Sequence, residues 1–120
     1  MRFSLFDDIL FLWMKALKAF DGRKTDIADF RPDEVKNILV VSSTAIGDTL
    51  LSTPAIRAVR KAYPKGRVIA HLNVSNMELF AGNPNIDDVI PNYGGYRRFR
   101  ETVREMRRYS FDLALIFHGN

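Results

Sequence analysis

The chain has 120 residues, 47% hydrophobic and 27% charged, which suits one globular domain and excludes a disordered or fibrous chain. It contains no cysteine, which excludes a disulfide framework and thiolate chemistry. The formal net charge of +4 is concentrated: Arg97, Arg98, Arg100, Arg104, Arg107 and Arg108 face only Glu101 and Glu105, so residues 97–108 account for the whole excess.

Residues 1–20 (MRFSLFDDILFLWMKALKAF) have the spacing of an amphipathic helix. Ser4, Asp7, Asp8, Lys15 and Lys18 share a narrow stripe, while Leu5, Phe6, Ile9, Leu10, Leu12, Trp13, Leu17 and Phe20 fill a wide opposite arc. The longest apolar run, residues 9–14, is far short of the ~20 residues a spanning helix needs. Asp7 and Asp8 spoil the basic start of an export signal. Such a helix lies in a membrane interface with Trp13 and the phenylalanines inserted, or it packs on its own domain or on a partner. Residues 21–36 carry Gly22, Pro32 and many charges with little periodicity, and read as a linker.

From residue 37 the pattern changes. The apolar, β-branched run Ile38-Leu39-Val40-Val41 predicts a buried strand over residues 37–41. It breaks into Ser42-Ser43-Thr44, turns at Gly47 and places a carboxylate at Asp48. This loop is neither G-x-G-x-x-G nor a P-loop. Backbone N–H groups at the start of a helix, with the Ser43 and Thr44 hydroxyls, can hold an anion or a sugar hydroxyl there. Gly47 is expected to supply a positive φ or to let a ligand approach closely. Asp48 is the likeliest chemical centre; its competing role is a helix cap. Pro54 either sits at the first position of a helix starting near Thr53 or kinks one starting at Asp48. Leu51, Ala55, Ile56, Val59, Ala62 and Tyr63 have the spacing of that helix's inner face.

A second strand follows over residues 67–72, with His71 read as structural. Ser75-Asn76-Met77-Glu78 fits a capping box opening a short helix that Gly82 ends. Residues 88–90 predict a third strand stopped by Pro91, and residues 93–96 a turn. The arginine-rich segment predicts a helix with Phe99, Val103 and Met106 inward and with Arg97/Glu101 and Glu105/Arg108 pairing along it. Its arginines form a solvated face, or one turned to anionic lipid or a phosphorylated acceptor. Nucleic acid is not implied, because no reader motif accompanies them. Residues 111–117 (FDLALIF) are the fourth strand, from which His118, Gly119 and Asn120 emerge at the same edge as the Asp48 loop. The order βαβαβαβ with short connections predicts an α/β chain with a Rossmann-like parallel sheet, whose ligands bind beyond the carboxyl ends of the strands.

Three separated blocks, ILVVSSTAIGDTLLSTPAIRAVRKAYP, GNPNIDDVIP and YSFDLALIFHGN, resemble the N-terminal domain of glycosyltransferase family 9, the lipopolysaccharide heptosyltransferases and their relatives. The resemblance covers residues 37–120. It implies the first part of the acceptor-side domain of a GT-B fold, with 1–20 as an added helix, 21–36 as a linker, and the donor-binding domain outside this chain or on a partner chain. It implies sugar transfer with inversion from a nucleotide-diphosphate sugar such as ADP-heptose to a lipopolysaccharide-type or other glycan or glycolipid acceptor, with no metal and no cofactor. Asp48 falls on the family's loop aspartate and would be the general base. Ser43, Thr44 and Gly47 would shape the acceptor pocket, and His118, Gly119 and Asn120 match the family's second loop. Ser42 stands where many members carry a basic residue, and Ile116 where many carry an acid. The implied location is cytoplasmic, peripheral on the inner membrane surface through residues 1–20 and 97–108. The alternative is a non-catalytic module that binds a membrane, a glycan acceptor or a partner subunit.

Overall fold

The computed structural model describes residues 5–20, 27–96 and 98–117. The chain divides into two compact units, residues 1–31 and 32–120. Among the described residues the first holds α1 (Leu5–Phe20) and a 3-10 turn, Ile27–Asp29. Ile9, Leu12, Trp13, Met14 and Leu17 of α1 are each more than half exposed. Among the described residues no helix is long and apolar enough to cross a membrane.

The second unit runs β1 (Asn37–Ser42), α2 (Ile46–Leu51), α3 (Thr53–Ala62), β2 (Arg67–Asn73), a 3-10 segment (Val74–Phe80), β3 (Asp88–Asn92), α4 (Phe99–Arg107) and β4 (Leu113–Ile116). The four strands form one sheet in the order β3-β2-β1-β4, with every pairing parallel. Val40 lies opposite Ala70 on one side and Leu115 on the other. Strand side chains alternate between faces. Ile38 and Val40 of β1 with Val68, Ala70 and Leu72 of β2 therefore point one way, and they close on Ile56, Val59 and Phe80 to make the core. Each fully buried Ile or Val there contributes about 1.5–3 kcal/mol of transfer free energy. Leu39, Ile69, His71 and Ile90 are buried on the opposite face, where α4 packs against β3.

Three aspartates tie down the amino ends of the strands. Asp112 Oδ2 accepts the N–H groups of Lys36 and Asn37, both at 2.9 Å. Asp87 Oδ2 accepts the Val68 N–H at 2.7 Å and the Arg60 guanidinium at 2.5 Å. Asp88 accepts the Tyr109 hydroxyl, and Arg67 lies over the Tyr109 ring. These residues fix the edge of the sheet remote from the Asp48 loop.

Several expectations change. Of the two alternatives for Pro54, the structure takes the helix starting at Thr53, with Pro54 in its first turn, but a separate short helix, α2, precedes it and meets it at Ser52. Leu51 therefore belongs to α2, which turns Thr49 inward, and Leu51 is 76% exposed rather than inward. Ala62, at the end of α3, is also exposed. The expected capping-box helix is the 3-10 segment with Asn73 at its cap and no side-chain cap bond. Pro91 does not stop β3 but lies within it, which an edge strand tolerates. Phe99, at the start of α4, is 60% exposed, while Val103 and Met106 are half-buried as expected. Glu105 pairs with Arg108 at 3.0 Å. Glu101 pairs with Arg98 at 3.7 Å; the expected partner, Arg97, lies outside the described residues.

Candidate functional site

At the carboxyl edge of the sheet, β1 ends at Ser42 and residues 43–45 lead into α2. The Thr44 carbonyl anchors this loop. It accepts the Asn73 Nδ2 amide at 2.9 Å and the Asn76 Nδ2 amide at 3.2 Å. Asn76 Nδ2 also lies 3.1 Å from the Thr49 hydroxyl, which donates to the Ala45 carbonyl at 3.0 Å. Asn92, the last residue of β3, donates from Nδ2 to Asn73 Oδ1 at 3.0 Å, and its own Oδ1 accepts the Gly94 N–H at 3.1 Å. A chain of amides thus runs from the end of β3 through the end of β2 into the loop after β1. Thr49 and Asn76 are buried, so these bonds form where water does not compete and unmade partners are costly.

This network defines the backbone and leaves the chemical groups unused. The Ser42 and Thr44 hydroxyls are buried and have no hydrogen-bond partner among the described residues. Ser43 is half-buried. Gly47 lies inside α2 without the positive φ expected of it; a Cβ there would meet nothing within 4 Å. Open space at this glycine is what close approach of a ligand requires. Asp48 is not the helix cap. That position is Ala45, with no side-chain cap bond, and Asp48 is the third residue of α2. Its side chain is exposed, and among the described residues nothing hydrogen-bonds or ion-pairs with its carboxylate. A carboxylate with free lone pairs at a ligand-facing edge can take a proton from a hydroxyl placed within reach.

The Phe117 N–H donates to the Val41 carbonyl at 3.1 Å, bringing the strand after α4 to the same edge. His118, Gly119 and Asn120 lie outside the described residues. Among the described residues no group of three or more His, Cys, Asp or Glu side chains could hold a metal ion. Asn73, Asn76 and Asn92 escaped the sequence reading. A usable signal was present for two of them: Asn73 and Asn92 each close a strand, the position that faces the ligand edge of a parallel sheet.

No protein-family model matches the chain, and no curated protein sequence matches it. A crystal structure of the glycosyl transferase family 9 from Veillonella parvula is similar, at 26% identity and a TM-score of 0.64, over 71% of this chain and 26% of that one. The chain has a glycosyltransferase family 9-like fold. It spans about a quarter of the length of that structure. In this family 9-like fold the loop carrying Asp48 follows the first strand, and the asparagines that hold it come from the ends of the second and third.

Proposed function

We propose that this chain is the acceptor-side portion of an inverting glycosyltransferase, with Asp48 as its general base. The acceptor hydroxyl donates its proton to the Asp48 carboxylate as its oxygen attacks the anomeric carbon of a nucleotide-diphosphate sugar, for example ADP-heptose. The nucleoside diphosphate leaves from the opposite face and the anomeric configuration inverts. Ser43, Thr44 and Gly47, with His118, Gly119 and Asn120, line the acceptor pocket. The donor is held by a second domain or a partner chain, since proximity catalysis needs both reactants fixed. The acceptor is a glycan or glycolipid of the lipopolysaccharide type. The protein works at the cytoplasmic face of the inner membrane, which residues 1–20 and 97–108 engage.

The observation that carries this reading is the likeness to a family 9 glycosyl transferase at 26% identity, joined to a carboxylate in the first turn of α2 that has no partner among the described residues. The test is transfer by the native gene product, supplied with nucleotide-diphosphate sugars and glycolipid acceptors. NMR of the product is expected to show an anomeric centre inverted relative to the donor; a retained centre contradicts the proposed base. A second reading draws on the quarter-length coverage: a non-catalytic module that binds a glycan or partner subunit. A native product with a mass near 13.8 kDa that binds glycan without transferring sugar supports that reading instead.

A further inference from the structure

His71 lies on the sheet face opposite α3 and is only 8% exposed. Its Nδ1 is 3.0 Å from the Ile90 carbonyl, an acceptor, so Nδ1 carries the ring proton and donates it there. Nε2 is left as an acceptor, and nothing among the described residues donates to it. Burial pushes the imidazole below its ordinary pKa of 6.5, which keeps the ring neutral and the Nε2 lone pair available at neutral pH.

The ring borders a half-open cavity of about 200 Å³, lined also by the end of β3, the Gly94-Gly95 turn and α4. The other polar side chains of its wall are Asn92, Thr102, Arg98 and Tyr93. The Asn92 amide is bonded at both ends. The Thr102 hydroxyl donates to the Arg98 carbonyl at 3.3 Å. The Arg98 guanidinium lies over the Tyr93 ring at 4.3 Å and 3.7 Å from the Glu101 carboxylate. Phe99, Val103 and Met106 supply an apolar wall, and Phe99 is the exposed aromatic at its mouth. The cavity presents the His71 Nε2 acceptor, with the Tyr93 hydroxyl and the Arg98 guanidinium also in its wall, against an apolar surface. Its complement is a small ring with a hydroxyl donor and an apolar C–H face. The space is below the roughly 300–1,000 Å³ of sites for larger ligands, so it suits one ring rather than a nucleotide or an oligosaccharide.

We propose that this cavity is a subsite for a single pyranose unit, one hydroxyl donating to His71 Nε2 and its C–H face lying on Phe99, Val103 and Met106. The proposal rests on the glycosyltransferase reading and places one unit of the acceptor glycan here. Asn92 borders this cavity and also bonds to Asn73, which holds Thr44 in the Asp48 loop. A hydrogen-bonded path thus runs from the wall of this cavity to the loop that precedes α2, the helix carrying Asp48.

The experiment is NMR of the 120-residue chain, following the His71 ring nitrogens and the Gly94 and Gly95 amides. The probes are methyl gluco-, galacto- and mannopyranosides, with tetrahydropyran as the same ring without hydroxyls. At least one pyranoside is expected to shift these signals saturably while tetrahydropyran does not. His71→Phe, which keeps a ring and removes the acceptor, is expected to weaken that binding about tenfold, the scale of one hydrogen bond. Absence of a saturable shift with all three pyranosides overturns the proposal, as does an equal response to tetrahydropyran, even if His71→Phe does not fold. Transfer assays on the native gene product report separately on the wider reading. Transfer with His71 unmoved removes the subsite alone, and pyranoside binding without transfer keeps the subsite while removing the enzyme.

Discussion

Asn76 shows how much of the loop depends on one side chain. Its single Nδ2 group serves the Thr44 carbonyl and the Thr49 hydroxyl, and it is 3% exposed. Asn76→Ala leaves the buried Thr49 hydroxyl without its donor and the Thr44 carbonyl with Asn73 alone, at an expected cost of about 1–3 kcal/mol. The urea midpoint should fall with its slope unchanged; a loss below about 0.5 kcal/mol, the scale of a surface substitution, contradicts the anchoring role. The sequence hides this residue. Ser75-Asn76-Met77-Glu78 satisfies the letters of a capping box, yet the Ser75 hydroxyl turns to Asn76 Oδ1 at 3.3 Å. Asp48 is the converse case. Its place directly after Gly47, past the first strand, was legible, while its freedom from capping was not, because a cap is decided by where the helix begins.

At the scale of elements, the strands were legible because parallel strands buried on both faces are near-continuous apolar runs. Ile38-Leu39-Val40-Val41 and Val68-Ile69-Ala70 have that character and are buried or half-buried throughout. The helix starting at Thr53 with Pro54 in its first turn was one of the two alternatives read from the sequence. What failed was the facing of two side chains: Leu51 lies in the separate helix α2 and is exposed, and Phe99 is exposed at the start of α4. Neither change alters the hydrophobic period that the sequence displays. Pro91 failed as a strand breaker because edge position is a property of sheet order, which local sequence does not contain. For α1, the exposed Leu12, Trp13 and Leu17 and the absence of a spanning length carry one expectation. Deleting residues 1–20 should reduce sedimentation with anionic liposomes. Unchanged sedimentation would remove α1 as a membrane contact and leave the arginines of α4 to account for it.

The whole molecule joins two sheet edges of different character. At the amino edge, the Asn37 and Lys36 N–H groups hold the Asp112 carboxyl below its ordinary 3.8. The Tyr109 hydroxyl does so for Asp88. Burial pushes Asp87 up, but the Val68 N–H and Arg60 outweigh it and bring Asp87 below 3.8 as well. His71 is lowered from 6.5 by burial. All four groups bind protons more weakly when the chain is folded than when it is unfolded, so each favours unfolding as pH falls. The urea midpoint should begin to fall below pH 6.5 through His71 and fall more steeply below 3.8 through the aspartates; a midpoint that rises from pH 6.5 to 5 contradicts this account. The carboxyl edge, in contrast, holds a hydrogen-bonded asparagine network and the Asp48 carboxylate, which has no partner among the described residues. The most direct test of the central claim is the rate of sugar transfer by the native gene product carrying Asp48→Asn. The account predicts a kcat lower by about 10²–10⁴, with acceptor KM and far-UV circular dichroism little changed. Transfer at the unmodified rate would contradict Asp48 as the base.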